Sequence, residues 1–171
     1  VSRKVVVLDS HQFDDNRISK HISIIRGRYP VFRLNFNFYA DRRFPGSTEG
    51  AKIINCTPTK NPYLNGALLS LRTMLGMGIA PLESSLREGL VKDGDHLIIQ
   101  VHDPYLLGLA VKLSRRFPDS RIVYDRHEYY ETWKNRLGFS AAGSFEGRYG
   151  GRVSEVVFVI RDYHDLPRSL Q

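Results

Sequence analysis

Residues 95–131 read DHLIIQVHDPYLLGLAVKLSRRFPDSRIVYDRHEYYE, and this stretch predicts a strand, a helix and a second strand. Residues 96–101 are an apolar run of strand length, and residues 121–124 are rich in β-branched and aromatic side chains. Between them, apolar residues recur at helical spacing from Leu106 to Leu113. Asp103 is a favourable N-cap, and Pro104 occupies the first helical position, where its missing N–H costs nothing.

The two strands of this unit are predicted to be parallel, because a strand joined to the next by a crossover helix returns in the same direction. The pairs His102-Asp103 and His127-Glu128 then both follow the carboxyl ends of strands. Open α/β sheets bind ligands at that edge. The topology therefore predicts a polar ligand site assembled from residues that are distant in sequence.

A second strand–helix–strand unit is predicted at the start of the chain. Residues 4–8 form an apolar strand, residues 17–26 carry isoleucines on one helical face, and residues 31–38 alternate. The alternation separates two sets, Phe32, Leu34, Phe36 and Phe38 against Arg33, Asn35 and Asn37. We therefore expect a half-buried strand with the polar set facing solvent.

The remaining pattern predicts further elements in the same style. We expect strands over residues 52–56 and 155–160, and helices over residues 64–75, 81–92 and 144–152. Residues 132–143 are predicted to be either a helix or a loop, and residues 162–170 resemble the start of a helix. The predicted fold class is α/β, a doubly wound, mostly parallel, Rossmann-like sheet, with residues 1–171 as a single domain.

Composition narrows the class of protein. The chain has 171 residues and is 42% hydrophobic, which is enough for one packed core and argues against disorder. No apolar run approaches a membrane span and no leader is visible. The single cysteine, Cys56, excludes an intramolecular disulfide and a cysteine-based zinc site. We expect a reducing, cytoplasmic setting.

The chain is basic, with a net charge of +7 and a pI near 9.7. Its basic residues are scattered, without a block of five or six like charges, so most of them are expected on solvated helix faces. Arg126 is one of this set. No nucleic-acid-binding motif is present, and no nucleic acid partner is expected. A peripheral contact with the anionic inner face of a membrane remains open.

His127 is the strongest candidate for a functional side chain. It lies between Asp125 and Glu128, so a carboxylate could orient its imidazole toward a hydroxyl or phosphate of a ligand. The alternative is a surface histidine at a strand end, but the second cluster at His102 favours function. His102 itself is balanced between packing and ligand contact, and Asp103 has a structural role as cap. Tyr129, which follows, is either a platform for a sugar ring or edge packing.

Metal binding is the weaker alternative for these residues. His102, Asp103, His127 and Glu128 offer nitrogen and oxygen ligands, but no HxH, HxxxH or DxD spacing occurs. We therefore expect no metal. The sequence also lacks the GxSxG, GxxxxGK[ST] and GxGxxG motifs of hydrolases, P-loop proteins and dinucleotide-binding domains.

Three segments resemble the N-terminal half of the group 1 retaining glycosyltransferases of the GT-B fold. The opening KVVVLDSH…DDNRISKHISIIRGRYPVFRLNF has a strand, a loop and a helix start at Asp15-Asn16-Arg17. The HDP…YDxHE pair within residues 102–128 is the most specific part. The end, RVSEVVFVIRDYHDL, is similar to the last strand and following helix of that half. Together the segments cover nearly the whole chain.

This resemblance implies a function for the chain as part of a larger enzyme. The N-terminal half would bind the acceptor, a glycan, lipid or small molecule, and a C-terminal half outside this chain would bind the nucleotide sugar. His127 would be the catalytic residue, near the transferred hexosyl group. Substrate-binding residues would be His11, Asp15, Arg17, His102, Asp103, Asp125, Glu128 and Tyr129. The donor is a substrate, so no cofactor or metal is implied, and the chain alone is expected to be inactive.

One departure from the family pattern concerns the loop after the first strand. The family often has glycines there, which let the backbone approach a ligand, whereas residues 10–16 have none. Two other functions stay open beside the transferase. One is a stand-alone flavodoxin-like module that binds a ligand or protein without catalysis. The other is half of a GT-B-like sugar-nucleotide epimerase. A second Rossmann-like half in the same protein would favour the transferase over the binding module.

Overall fold

A computed structural model describes residues 2–11, 15–39, 50–89, 91–92, 94–126 and 140–158, and it confirms the predicted α/β class. Six parallel strands form one sheet in the order β3-β2-β1-β4-β5-β6. Their bounds are β1 Arg3–Asp9, β2 Val31–Asn37, β3 Ala51–Asn55, β4 His96–Val101, β5 Ser120–Arg126 and β6 Glu155–Phe158. The strand order reverses between β1 and β4, and this is the position at which such sheets bind ligands.

Helices cover both faces of the sheet, as expected for a doubly wound fold. They are α1 Asn16–Arg26, α2 Pro62–Met74, α3 Ile79–Gly89, α4 Leu107–Arg116 and α5 Ala141–Tyr149. Ile18 and Ile22 of α1 pack on one face, against Val5 and Val7 of β1. The other four helices pack on the opposite face, where Val6 and Leu8 of β1 belong to the larger apolar cluster. Alternate residues of β1 therefore serve two cores.

The central unit folds as its sequence predicts. The Asp103 carboxylate accepts a hydrogen bond from the Tyr105 N–H at 2.8 Å, and Pro104–Leu106 forms a 3₁₀ turn that continues into α4. β5 extends to Arg126, beyond the predicted end at residue 124. The extension follows from pairing, because residues 123–126 align with β6.

Capping side chains explain two shifted helix boundaries. α2 begins at Pro62 because the Asn61 side chain accepts hydrogen bonds from the N–H groups of Tyr63 and Leu64. α5 begins at Ala141, three residues before the predicted start, because Ser140 caps the Gly143 N–H. Among the described residues, no helix is both long and apolar enough to cross a bilayer. The predictions for residues 132–139 and 162–170 lie outside the described ranges.

The prediction that β2 is half-buried is wrong. Arg33, Asn35 and Asn37 are buried, although they occupy the face that was expected to meet solvent. Each of the three side chains donates hydrogen bonds inside the protein: the Arg33 guanidinium donates to both carboxylate oxygens of Asp9, at 2.7 and 2.9 Å, and the amide nitrogens of Asn35 and Asn37 donate to side-chain oxygens of neighbouring strands. Periodicity alone does not distinguish a solvated polar face from one that is buried against matching polar groups.

Arg126 is an exception to the expectation that most of the basic residues lie on solvated helix faces. Arg126 on β5 and Glu146 on α5 are both 0% exposed and form an ion pair. Arg126 Nε and Nη2 donate to the two carboxylate oxygens at 2.5 and 3.0 Å, and the Tyr124 hydroxyl donates to Glu146 Oε1 at 2.9 Å. Buried charges are tolerated when they are paired in this way, so the pair joins α5 to the sheet.

Candidate functional site

The carboxyl edge of the sheet brings His102 and Asp125 together. His102 directly follows β4 and is 2% exposed, and its backbone N–H donates to the Leu8 carbonyl of β1 at 3.0 Å. The side chain of Asp125, near the end of β5, is 20% exposed. His102 Nδ1 lies 3.0 Å from Asp125 Oδ2. A carboxylate on one strand therefore lies against the imidazole that follows the neighbouring strand.

His21 of α1 is the third member of this cluster, and the sequence analysis did not select it. Its ring lies edge-on to the His102 ring, with centroids 5.8 Å apart. One ligating atom from each of His21, His102 and Asp125 can be chosen so that all three lie within 4.8 Å of one another. A signal did exist in the sequence, because His21 lies three residues after Ile18 and four before Ile25, on the face that packs on the sheet.

The pKa of His21 is lowered from its ordinary value. Burial is the largest cause, and proximity to His102 acts in the same direction, whereas the Asp125 carboxylate opposes the shift. The Gln100 amide nitrogen lies 3.3 and 3.4 Å from the two ring nitrogens of His21. Burial and the neighbouring His102 therefore favour the neutral form of the His21 imidazole.

Asp103 is half-buried and its carboxylate is used structurally. It accepts hydrogen bonds from the Ser10 hydroxyl at 2.5 Å and from the Tyr105 N–H at 2.8 Å. Burial raises the pKa of Asp103 to about 6, and the two hydrogen bonds moderate that rise. The predicted role as helix cap is confirmed, and the same carboxyl ties the loop after β1 to the loop after β4.

His11 belongs to the cluster, whereas Asp15 and Arg17 are engaged at the start of α1. The His11 ring lies edge-on to the His102 ring, at a centroid distance of 6.2 Å. Asp15 Oδ1 accepts from the N–H groups of Arg17 and Ile18, which makes it the N-cap. Burial by itself would raise the pKa of Asp15, but these hydrogen bonds act in the opposite direction, and the pKa is lowered overall. The Arg17 side chain is exposed and 3.6 Å from the Asp15 carboxylate.

A buried polar network under the edge was missed by the sequence analysis. Asn35 of β2 donates to Asp9 Oδ1 at 2.7 Å and to the His11 carbonyl at 2.8 Å, while Arg33 holds the other side of Asp9. This network fixes the first residues of the loop after β1. The signal available was Asp9 at the end of an apolar strand, with Arg33 and Asn35 alternating on the strand beside it.

Three of the candidate residues lie outside the described ranges. They are His127, Glu128 and Tyr129, so their roles stay predictions. Asp125 was expected to orient His127, and its carboxylate lies against His102. Comparison of this chain with protein-family models, with curated proteins and with solved structures found no match.

Three features of the described cluster determine what it can do chemically. An imidazole paired with a carboxylate can accept or donate a proton, or bind a hydroxyl group. The half-buried His21 adds a second imidazole. Neighbouring loops after β1 and β4 are tied together by the Ser10–Asp103 hydrogen bond, so these groups are held on rigid supports.

Proposed function

We propose that this chain is the acceptor-binding half of a nucleotide-sugar-dependent, retaining glycosyltransferase that transfers a hexosyl group. The observation that carries the proposal is the His102–Asp125 pair, 3.0 Å apart at the edge where the strand order reverses. It joins two parts of the HDP…YDxHE pattern on which the resemblance to the GT-B enzymes rests. A parallel sheet with this strand order is the architecture that such an enzyme half requires.

The chemistry of the edge supports a ligand rich in hydroxyl groups. Asp125 retains partial exposure, and His11 and His102 are adjacent. Carboxylates and imidazoles are hydrogen-bonding partners that suit sugar hydroxyls, and the buried network around Asp9 gives them a fixed base. Preorganised polar groups of this kind bind without paying for reorganisation.

In the proposed reaction His127 hydrogen-bonds the transferring sugar. Positive charge develops on the sugar ring as the bond to the diphosphate breaks, so a hydrogen bond that strengthens in the transition state lowers the barrier. Cationic groups of the donor-binding half would stabilise the departing diphosphate, which is electrostatic catalysis. The present chain would contribute acceptor binding and His127, and the donor half would contribute nucleotide binding.

The test is a donor screen on the protein that contains this chain together with a donor-binding half. Nucleotide release and product mass identify the sugar, and the anomeric configuration of the product identifies retention. His127→Ala is then compared with wild type, with His96→Ala as control, since His96 is exposed at the opposite end of β4. We expect kcat to fall by about 10²–10³ while the melting temperature and KM change little.

Three outcomes would each contradict a different part of the proposal. A stable His127→Ala variant with wild-type kcat would remove the role given to His127. If the protein binds a ligand but turns over none of the nucleotide sugars in the screen, the stand-alone binding module is favoured. Product with an inverted anomeric centre would contradict the retaining assignment specifically.

A further inference from the structure

We propose that His21, His102 and Asp125 form a binding site for one divalent transition-metal ion, with zinc as the preferred metal. The inference goes beyond the proposed transferase, which requires no metal, and it does not depend on that function. It rests on the placement of two imidazoles and one carboxylate from three separate elements, α1, the end of β4 and β5.

The distances suit a metal ion with short bonds. Zinc binds histidine nitrogen and carboxylate oxygen at about 2.0–2.2 Å, so tetrahedral ligand atoms lie about 3.3 Å apart. Here His102 Nδ1 and Asp125 Oδ2 are 3.0 Å apart, and all three ligand atoms lie within 4.8 Å of one another. A bound ion would draw the His21 ring nitrogen closer to the other two ligand atoms than the present limit of 4.8 Å.

The donor set indicates the class of metal. Two histidines with one carboxylate are typical ligands of zinc and of other first-row transition metals, whereas calcium and magnesium prefer oxygen ligands alone. Three protein ligands leave one coordination position open for water or an incoming group. The Asp125 side chain is 20% exposed whereas that of His102 is 2% exposed, so the open position would lie toward Asp125 rather than toward His102.

The surroundings of the cluster would support bound metal. His102 is packed at the end of β4 with its backbone bonded to β1, and this fixes its imidazole. The Gln100 side chain lies beside the His21 ring, and with its amide reversed it would accept a hydrogen bond from the ring N–H that does not bind metal. Such hydrogen bonds orient ligating histidines and raise their affinity for metal.

The expectation of no metal considered a different set of ligands. It included Asp103 and omitted His21, because the sequence does not show that α1, which carries His21, lies beside the end of β4. In the fold, the Asp103 carboxylate is occupied by the Ser10 hydroxyl and the Tyr105 N–H. Its place beside His102 is taken by Asp125 and His21.

The experiment measures metal binding to the full chain, purified without a polyhistidine tag and stripped with a chelator. Equilibrium dialysis against Zn²⁺ should give one ion per chain with a Kd of about 1 μM or tighter. Co²⁺ in place of zinc should give visible absorption bands of a four- or five-coordinate site. Asp125→Asn and His21→Gln should each weaken zinc binding at least about tenfold. Both side chains are partly exposed, so these variants are expected to fold, which far-UV circular dichroism checks.

His96→Gln is the matched control, because His96 is an exposed histidine on the same strand as the His102 site, and its zinc affinity should equal wild type. Absence of stoichiometric zinc binding would overturn the proposal. So would folded Asp125→Asn and His21→Gln variants that bind zinc as tightly as wild type, since the ion would then lie elsewhere. Transferase activity is not a readout, so failure of the transferase proposal would leave these results unaffected.

Discussion

At the scale of single residues, the buried ion pair Arg126–Glu146 shows how this fold accommodates charge. Both side chains are 0% exposed, and two hydrogen bonds join them. The Tyr124 hydroxyl adds a third hydrogen bond to the carboxylate. Removing one member of such a pair leaves an uncompensated charge in the interior, and this costs much more than the pair contributes relative to an apolar replacement.

Glu146→Ala should therefore lower the free energy of unfolding by about 3–5 kcal/mol. Urea denaturation followed by circular dichroism measures the change. The control is Glu83→Ala, because Glu83 pairs with Arg87 at 3.2 Å and with Arg116 at 3.6 Å near the protein surface, where ion pairs contribute about 0–1 kcal/mol each. Equal effects of the two substitutions would show that the Arg126 pair is not buried in solution.

At the scale of elements, the contact between α2 and the turn before α4 depends on a glycine. A Cβ placed on Gly66 would lie 2.7 Å from Cδ2 and 2.8 Å from Cγ of the Tyr105 ring. That ring cannot move aside easily, since Phe38 and Phe145 pack edge-on against it. The Ser70 hydroxyl also donates to the Tyr105 carbonyl at 2.6 Å, so α2 is held close to this turn.

Gly66→Ala should destabilise the protein by about 1–3 kcal/mol, because overpacking outweighs the better helix propensity of alanine. Gly147→Ala is the matched control. Gly147 also lies within a helix, but a Cβ there meets no atom within 4 Å, so that substitution should be neutral or stabilise by up to about 1 kcal/mol. Thermal melts of the two variants compare them directly. A Gly66→Ala protein as stable as Gly147→Ala would mean that α2 does not approach Tyr105 this closely.

At the scale of the whole molecule, the two apolar clusters share the strands of one sheet. Ile18 belongs to the cluster beneath α1, and Ile99 belongs to the cluster on the opposite face. Neighbouring residues of β1 belong to different clusters, so unfolding of this strand would disrupt both clusters at once. We therefore expect the described fold to unfold as one cooperative unit.

Ile18→Val and Ile99→Val should each lower stability by about 0.5–1.5 kcal/mol and should shift the same single transition. Near-UV and far-UV circular dichroism, recorded during one urea titration, measure whether the two signals change together. The wild-type protein is the reference for the dependence of the unfolding free energy on urea concentration. If Ile18→Val separated an early transition from a later one, the α1 face would be an independent unit.

Local signals in the sequence were sufficient for the elements and for part of the site. Apolar periodicity identified the strands and most helices, and the Asp103-Pro104 pair identified the cap of the central helical segment. The parallel crossover rule predicted that the polar residues after β4 and around the end of β5 meet at one edge, and the structure has His102 3.0 Å from Asp125, the residue that was expected to orient His127. These features depend on interactions within a few residues, or on a topological rule that holds for nearly all such units.

Features that depend on which faces meet were decided only by the tertiary structure. His21 became a neighbour of His102 because α1 packs over β1 and β4, and helical spacing alone would equally suit an apolar residue there. Arg33 was expected on the solvent face of its strand, and most basic residues were expected in water, but Arg33 and Arg126 pair with Asp9 and Glu146 in the interior. A charged residue has the same sequence signature whether it is solvated by water or paired with a carboxylate distant in the chain. Its burial is therefore decided by long-range packing, which brings that carboxylate within hydrogen-bonding distance.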